Sequence, residues 1–268
     1  MKEKVVIITG SSSGIGLACA KEFASQGAIV VLAARSIDAL ATIKADLEAK
    51  GTKALVVATD VSKETDCQSL IEQTVKAFGK VDILVNNAGI SMRALFNDAD
   101  LDVLRRLMDV NFWGTVYCTK YALPYILNSG GTVVGVSSIA GFKGLPGRTG
   151  YSASKFAMNG FLESLRVENL NKGINVLTVC PGFTASNIRN AALGKDGSAQ
   201  GESPRDEQKM MQPEEVARHM VTAIVKRKKL IVLTGQGKLV VLLNKLFPAW
   251  VDKLTLKEMA KENNSPLK

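Results

Sequence analysis

Lys4–Gly16, KVVIITGSSSGIG, decides how the rest of the chain is read. A short apolar run with no polar alternation is the mark of a strand covered on both faces. It is followed at once by a glycine-rich turn and then by a helical pattern to about Gln26. Gly10 permits the tight turn, Gly14 lets backbone approach a phosphate, and Gly16 allows the helix to pack closely on the strand. The helix start then offers free N–H groups and a positive dipole end to an anion. The spacing G-x-x-x-G-x-G differs from the common G-x-G-x-x-G. Its place after the first strand favours a nucleotide cradle (Gly10, Ser11, Ser12, Ser13, Gly14, Ile15, Gly16) over a bare turn.

Outward from this point the same unit repeats. Apolar runs at 29–34, 53–59, 81–85, 132–137 and 174–179 alternate with helical patterns at 37–50, 63–78, 100–128 and 151–171. Such alternation predicts an α/β fold: a parallel sheet with helices on both faces, doubly wound through right-handed crossovers. No linker of changed composition interrupts it, so residues 1–235 read as a single domain. Within it, residues 183–212 read as a mobile substrate loop, with the polar, turn-rich GKDGSAQGESPR at 194–205. Residues 236–268 form a basic, amphipathic extension.

Composition narrows the chemistry. With 46% apolar and 22% charged residues among 268, the chain is globular rather than disordered. A single histidine, His219, excludes a His-rich metal site and argues against a Ser-His-Asp triad. No metal is expected. Cys19, Cys67, Cys118 and Cys180 are scattered and read as buried reduced thiols of an intracellular protein. No run is long enough for a spanning helix, and the N-terminal run is too short for a signal peptide. A cytoplasmic location follows. Of the net charge of +9, residues 226–268 carry +7, from ten Lys/Arg against three acids. Basic residues interleaved with aromatics across a platform are missing, so nucleic acid is not expected as a partner.

The end of the second strand selects the nucleotide. An acid there would bond a ribose 2′-hydroxyl, but the sequence reads Ala34-Arg35-Ser36. A guanidinium suits a 2′-phosphate, which favours NADP(H) over NAD(H). Asp60 follows the third strand, on the adenine side. The reactive groups come later. Tyr151 and Lys155 share one helix face at i and i+4. An ammonium beside the phenol is expected to pull its pKa down and make it a general acid or base. Ser138, at the end of the fifth strand, can hold a carbonyl oxygen. Asn111, in the long helical stretch, offers a carboxamide for a water between Lys155 and solvent.

Thr9–Gly16, Asn86–Gly89 (NNAG), Asn111, Ser138, Tyr151-x-x-x-Lys155 and Pro181-Gly182 together resemble the motif set of the short-chain dehydrogenase/reductase family, in order and spacing. The resemblance implies a Rossmann-type sheet of about seven strands, the last near 230–233. It implies hydride transfer between a nicotinamide and a carbonyl or alcohol carbon. In that scheme Tyr151 is the acid/base and Ser138 orients the carbonyl. Lys155 binds the nicotinamide ribose, and Asn111 supports a proton relay. Asp60, Val61, Asn87, Ala88 and Gly89 would line the adenine–ribose side. Pro181, Gly182, Phe183 and Thr184 would meet the nicotinamide. A homodimer or homotetramer is implied as well.

The expected substrate walls, including Met92, Ile139, Leu145, Phe183 and Ile188, are apolar, which favours an apolar ketone or alcohol of lipid or steroid type. Arg93 and Arg148 read as surface residues rather than carboxylate clamps. The stretch 239–250, flanked by Lys238, Lys245 and Lys253, is apolar on nearly every side. It is expected to pack over the pocket mouth or a neighbour, or to lie peripherally on anionic lipid at the inner membrane face. The extended C-terminus also resembles that of the hydroxysteroid-dehydrogenase-like branch of the family. A non-catalytic NADP(H)-binding regulator or redox sensor is the alternative function.

Overall fold

The computed structural model describes residues 1–268, with Lys209 described by its backbone alone. Seven parallel strands form one sheet: β1 (Val5–Thr9), β2 (Ile29–Ala34), β3 (Ala54–Ala58), β4 (Ile83–Asn86), β5 (Thr132–Val136), β6 (Asn175–Cys180) and β7 (Leu230–Val232). Their spatial order is β3-β2-β1-β4-β5-β6-β7. The order reverses between β1 and β4, where open sheets of this type place their ligands.

The uninterrupted apolar runs are explained by the two layers they feed. In β1, Val5 and Ile7 join Leu70, Ile71, Ile126, Met158 and Leu162 on one face. Val6 and Ile8 join Phe23, Leu40, Leu177 and Met220 on the other. Each of these β1 side chains is fully buried, a gain of roughly 1.5–3 kcal/mol apiece. One layer comprises α1 (Gly14–Ser25), α2 (Ile37–Glu48) and α7 (Pro213–Val225). The other comprises α3 (Glu64–Phe78), α5 (Gly114–Ser129) and α6 (Thr149–Glu168).

Two departures from the sequence expectation bear on the site. The stretch 100–128 is not one regular helix: α4 (Leu101–Leu107) runs through a π-helical turn, Met108–Trp113, into α5. Such turns shift the helix face locally and gather at functional positions. The C-terminal extension is two helices, α8 (Gly235–Leu246) and α9 (Pro248–Ala260), broken where Pro248 cannot continue α8. All four cysteines are buried and free.

Candidate active site

The glycine turn is fastened to β4 before any ligand is considered. Thr9 Oγ1 accepts the backbone N–H of Asn87 and of Ala88, both at 3.0 Å. Asn87 Nδ2 donates back to the carbonyls of Thr9 (2.9 Å) and Gly10 (3.2 Å). Gly10 has φ +65°, and a Cβ there would stand 2.8 Å from Ala88 Cα. A Cβ on Gly16 would stand 2.2 Å from the Gly10 carbonyl oxygen. Gly10, Ser12, Ser13, Gly14 and Ile15 line the cleft above. Ser11 and Gly16 instead shape the turn from behind, Ser11 Oγ donating to the Ala33 carbonyl at 3.4 Å. Ser13 makes no side-chain cap on α1, so the first N–H groups of that helix remain for an anion. The donor set and the lack of room for a Cβ fit a pyrophosphate.

From the turn a cleft of about 1830 Å³ runs along the carboxyl ends of the strands. One end is lined by Ala34, Arg35, Ser36, Thr59, Asp60 and Val61. Arg35 is exposed at its edge. The Asp60 carboxylate accepts from Ser62 N–H at 3.1 Å and Ser62 Oγ at 2.7 Å. Asn87, Ala88 and Gly89 line the middle, and Pro181, Gly182, Phe183 and Thr184 close on it from β6.

Ser138, Tyr151 and Lys155 meet on the same wall. Ser138 caps a short 3-10 turn, Ile139–Gly141, accepting from Ala140 N–H at 3.1 Å. Lys155 is 3% exposed and donates to the Val136 carbonyl at 2.9 Å. Burial lowers its ammonium from an ordinary 10.5 to about 8. The Tyr151 phenol behaves opposite to expectation. Burial raises its pKa, against a hydrogen bond with Ser138 and the charge of Arg148 that lower it. The Lys155 ammonium lies over the ring, 5.8 Å from the centroid. Asn111 is fully buried and does not line the cleft. Its carboxamide accepts from Ile90 N–H (2.8 Å) and donates to the Ile90 carbonyl (3.0 Å) and Ser154 Oγ (2.9 Å). The π turn therefore ties the strand-β4 loop to α6.

Of the expected substrate walls, Ile139, Leu145, Phe183 and Ile188 line the cleft. Met92 is fully buried behind it, in a small cluster with Val103 and Leu107. The 183–212 segment is braced: Thr184 bridges Met211, Leu193 bridges Met92 and Ala199, and Arg189 pairs with Glu207 at 2.7 Å. Arg93 and Arg148 are not surface residues. Their side chains are 5% and 10% exposed, and both face Glu262 from the C-terminal tail. No local pattern pairs residues this far apart in sequence. Of the two placements expected for 239–250, the structure has the tail at the pocket mouth. Leu239, Val240, Leu243, Trp250, Val251 and Leu254 all line the cleft. Asn244 Nδ2, donating to the Phe142 carbonyl at 3.2 Å, and a Lys143–Asp252 ion pair hold α8 and α9 there.

A phosphate-type cradle at the switch point, sharing one cleft with a Ser–Tyr–Lys group, places the chain in the nucleotide-binding α/β class. The chain belongs to the short chain dehydrogenase family, whose model matches residues 4–196. It is 45% identical over 206 residues to "11-beta-hydroxysteroid dehydrogenase A" of Arachis hypogaea, covering 76% of this chain and 58% of that protein. The chain thus spans little more than half the length of that plant relative. It is 35% identical over 239 residues to "Dehydrogenase/reductase SDR family member 7B" of Mus musculus, covering 87% and 74%. A short chain dehydrogenase/reductase from Burkholderia phymatum in complex with NAD superposes with a TM-score of 0.83 at 26% identity, over 93% and 95% of the two chains. An alcohol dehydrogenase from Thermococcus sibiricus complexed with 5-hydroxy-NADP gives 0.77 at 25%, over 87% and 96%. Family membership is thus shared with dehydrogenases and reductases, and two of the solved structures that the chain resembles hold a nicotinamide nucleotide.

Proposed function

We propose that the protein reduces an apolar, lipid-like or steroid-like ketone with NADPH, Tyr151 delivering the proton. The observation that carries this is a buried lysine without a carboxylate partner, beside a tyrosine and a serine, in the cleft that the glycine turn closes. A nicotinamide bound there supplies the hydride. Gly10, Ser12, Ser13, Gly14 and Ile15 would hold its pyrophosphate, Asp60, Val61 and Asn87–Gly89 its adenosine, and Pro181–Thr184 its nicotinamide. Arg35, exposed beside the end of β2, would pair with a 2′-phosphate. Ser138 Oγ orients the carbonyl oxygen. The Tyr151 hydroxyl, held protonated by burial, donates to that oxygen as charge develops on it. Lys155 stabilises the phenolate left behind. Asn111 positions this group by tying Ile90 to Ser154.

Partners follow from the surface. Trp113 and Phe156 are 42% and 46% exposed near the α5–α6 layer, which supports a homodimer or homotetramer. No helix among the described residues is long and apolar enough to cross a membrane. Exposed Leu242, Leu246, Phe247 and Trp250, beside Lys245 and Lys253, support peripheral contact of a cytoplasmic protein with the inner membrane face.

The test is oxidation of NADPH, against NADH, over steroid, keto-lipid and small dicarbonyl substrates, with Tyr151→Phe alongside. An NADPH-selective reductase loses about a hundredfold or more of its turnover in Tyr151→Phe while keeping its NADPH affinity. Turnover unchanged in Tyr151→Phe removes the acid role. NADPH binding without turnover on any carbonyl favours the regulator or sensor.

A further inference from the structure

Three arginines converge on one carboxylate at the cleft mouth. Arg148 Nη2 donates to both Glu262 oxygens, at 3.1 and 3.0 Å. Arg205 Nε donates to Oε1 at 2.8 Å, and Arg93 Nε lies 3.5 Å from Oε2. The Glu262 side chain is 2% exposed. One carboxylate cannot satisfy this set. Arg93 Nη2 donates to the Asn263 carbonyl and feels the charge of Glu202, but its Nε is buried with no hydrogen-bond partner among the described residues, and the second acid on Arg205, Glu258, is 41% exposed and shared with Lys261. A buried cation left short of counter-charge is costly, so the cluster has room for an anion better placed than Glu262.

The cluster is also continuous with the reactive group. Arg148 and Arg205 line the same cleft as Tyr151. Arg205 lies 3.8 Å above the Phe183 ring, part of the substrate wall. Glu262 arrives on an apolar stem. Met259 sulfur lies 3.9 Å from Arg148 Nη1 and 3.8 Å from Arg205 Nη2. Glu262 lies just beyond α9, which buries Val251 and Met259, on a tail fastened by Arg93 Nη2 to the Asn263 carbonyl and by Asn264 Nδ2 to Glu202 at 3.0 Å, so displacing Glu262 moves the chain end as a unit.

We propose that Arg93, Arg148 and Arg205 form a carboxylate subsite for the substrate, filled in this structure by the chain's own Glu262, so that the preferred substrate is an apolar oxo-acid that displaces the tail. This rests on the ketone-reductase reading for the chemistry, but the subsite is tested by binding. Because Glu262 is tethered, it competes at an effective concentration that a free acid must overcome.

The test uses the full chain with NADP+, which cannot reduce the ligand, and a long-chain oxo-acid beside its methyl ester. Calorimetry should show Glu262→Gln binding the acid about tenfold more tightly than the wild type, the effect of removing one charged competitor, and the ester changing by less than about twofold. Arg93→Gln in the Glu262→Gln protein should reverse the gain. The wild type gives an independent readout: the acid, but not the ester, should speed hydrogen exchange of the α9 amides. Acid and ester responding alike in either measurement overturns the subsite, as does no response to the acid. The reductase reading fails separately, through turnover and Tyr151→Phe, and neither binding readout depends on turnover.

Discussion

Replacing Lys155 by Met tests the most unusual charge in the molecule. The side chain is 3% exposed, and its ammonium is held at about 8 instead of 10.5. That displacement corresponds to about 3 kcal/mol of unfavourable burial at ~1.4 kcal/mol per pH unit. Its hydrogen bond to the Val136 carbonyl returns about 1 kcal/mol. At pH 7 the lysine is charged in both folded and unfolded chains, so the whole penalty is present. Methionine, similar in reach and neutral, should then make the protein about 2 kcal/mol more stable. Between pH 8 and 10.5 the unfolded chain keeps the proton that the folded one has lost, so wild-type stability rises with pH. Near pH 10.5 the neutral amine still donates to Val136, and the wild type should lead by about 1 kcal/mol. Urea denaturation of both proteins across this range reads the crossing, and other titrating groups largely cancel in the difference. A gap that stays constant from pH 7 to 10.5 would refute the reasoning, because the ammonium would then be solvated or paired. NADPH affinity should fall in the variant, making Lys155 a group kept for function at a cost in stability.

The glycines divide by their surroundings. Gly16→Ala drives a Cβ into the Gly10 carbonyl and should destabilise by about 1–3 kcal/mol, whereas Gly160→Ala, inside α6 with nothing within 4 Å, should stabilise by about 1 kcal/mol; paired thermal scans should move in opposite directions. Leu246→Asp with Phe247→Asp should lower sedimentation with anionic liposomes by about tenfold or more and leave NADPH binding intact, and sedimentation equal to the wild type removes the membrane contact.

How much was legible follows from how local each signal is. Strands β1 to β6 and the glycine turn announce themselves because a strand buried on both faces can only be an unbroken apolar run. Tyr151 and Lys155 are legible as one helix face four residues apart. The π turn at Asn111 is not, since its cause is the contact with Ile90 and Ser154 on other elements. Helix α7 did carry local signals: Pro213 at its first turn and a reciprocal Gln212–Glu215 capping box. The burial of Arg93 and Arg148 depends on a glutamate more than a hundred residues away. Single-sequence patterns contain no such pairing. The expected lowering of the Tyr151 pKa failed for a related reason. The i, i+4 spacing fixes the shared face, but only the packing decides that the phenol is buried and loses its water.

Lys155 and the arginines belong to one electrostatic design. The buried Lys155 ammonium, the Arg148 and Arg205 guanidinium groups beside Glu262, and the uncapped start of α1 all present positive charge to a single cleft. Each is expensive in the folded chain alone. Each becomes favourable when a negative group arrives: a pyrophosphate at α1, a phenolate forming beside Lys155, and a carboxylate among the arginines. Low local dielectric strengthens all three interactions once water is displaced. The basic tail extends the same bias outward, its lysines flanking the apolar mouth. The proposed oxo-acid would extend this pattern, bringing its own negative charge to the arginines while its carbonyl meets Ser138 and Tyr151.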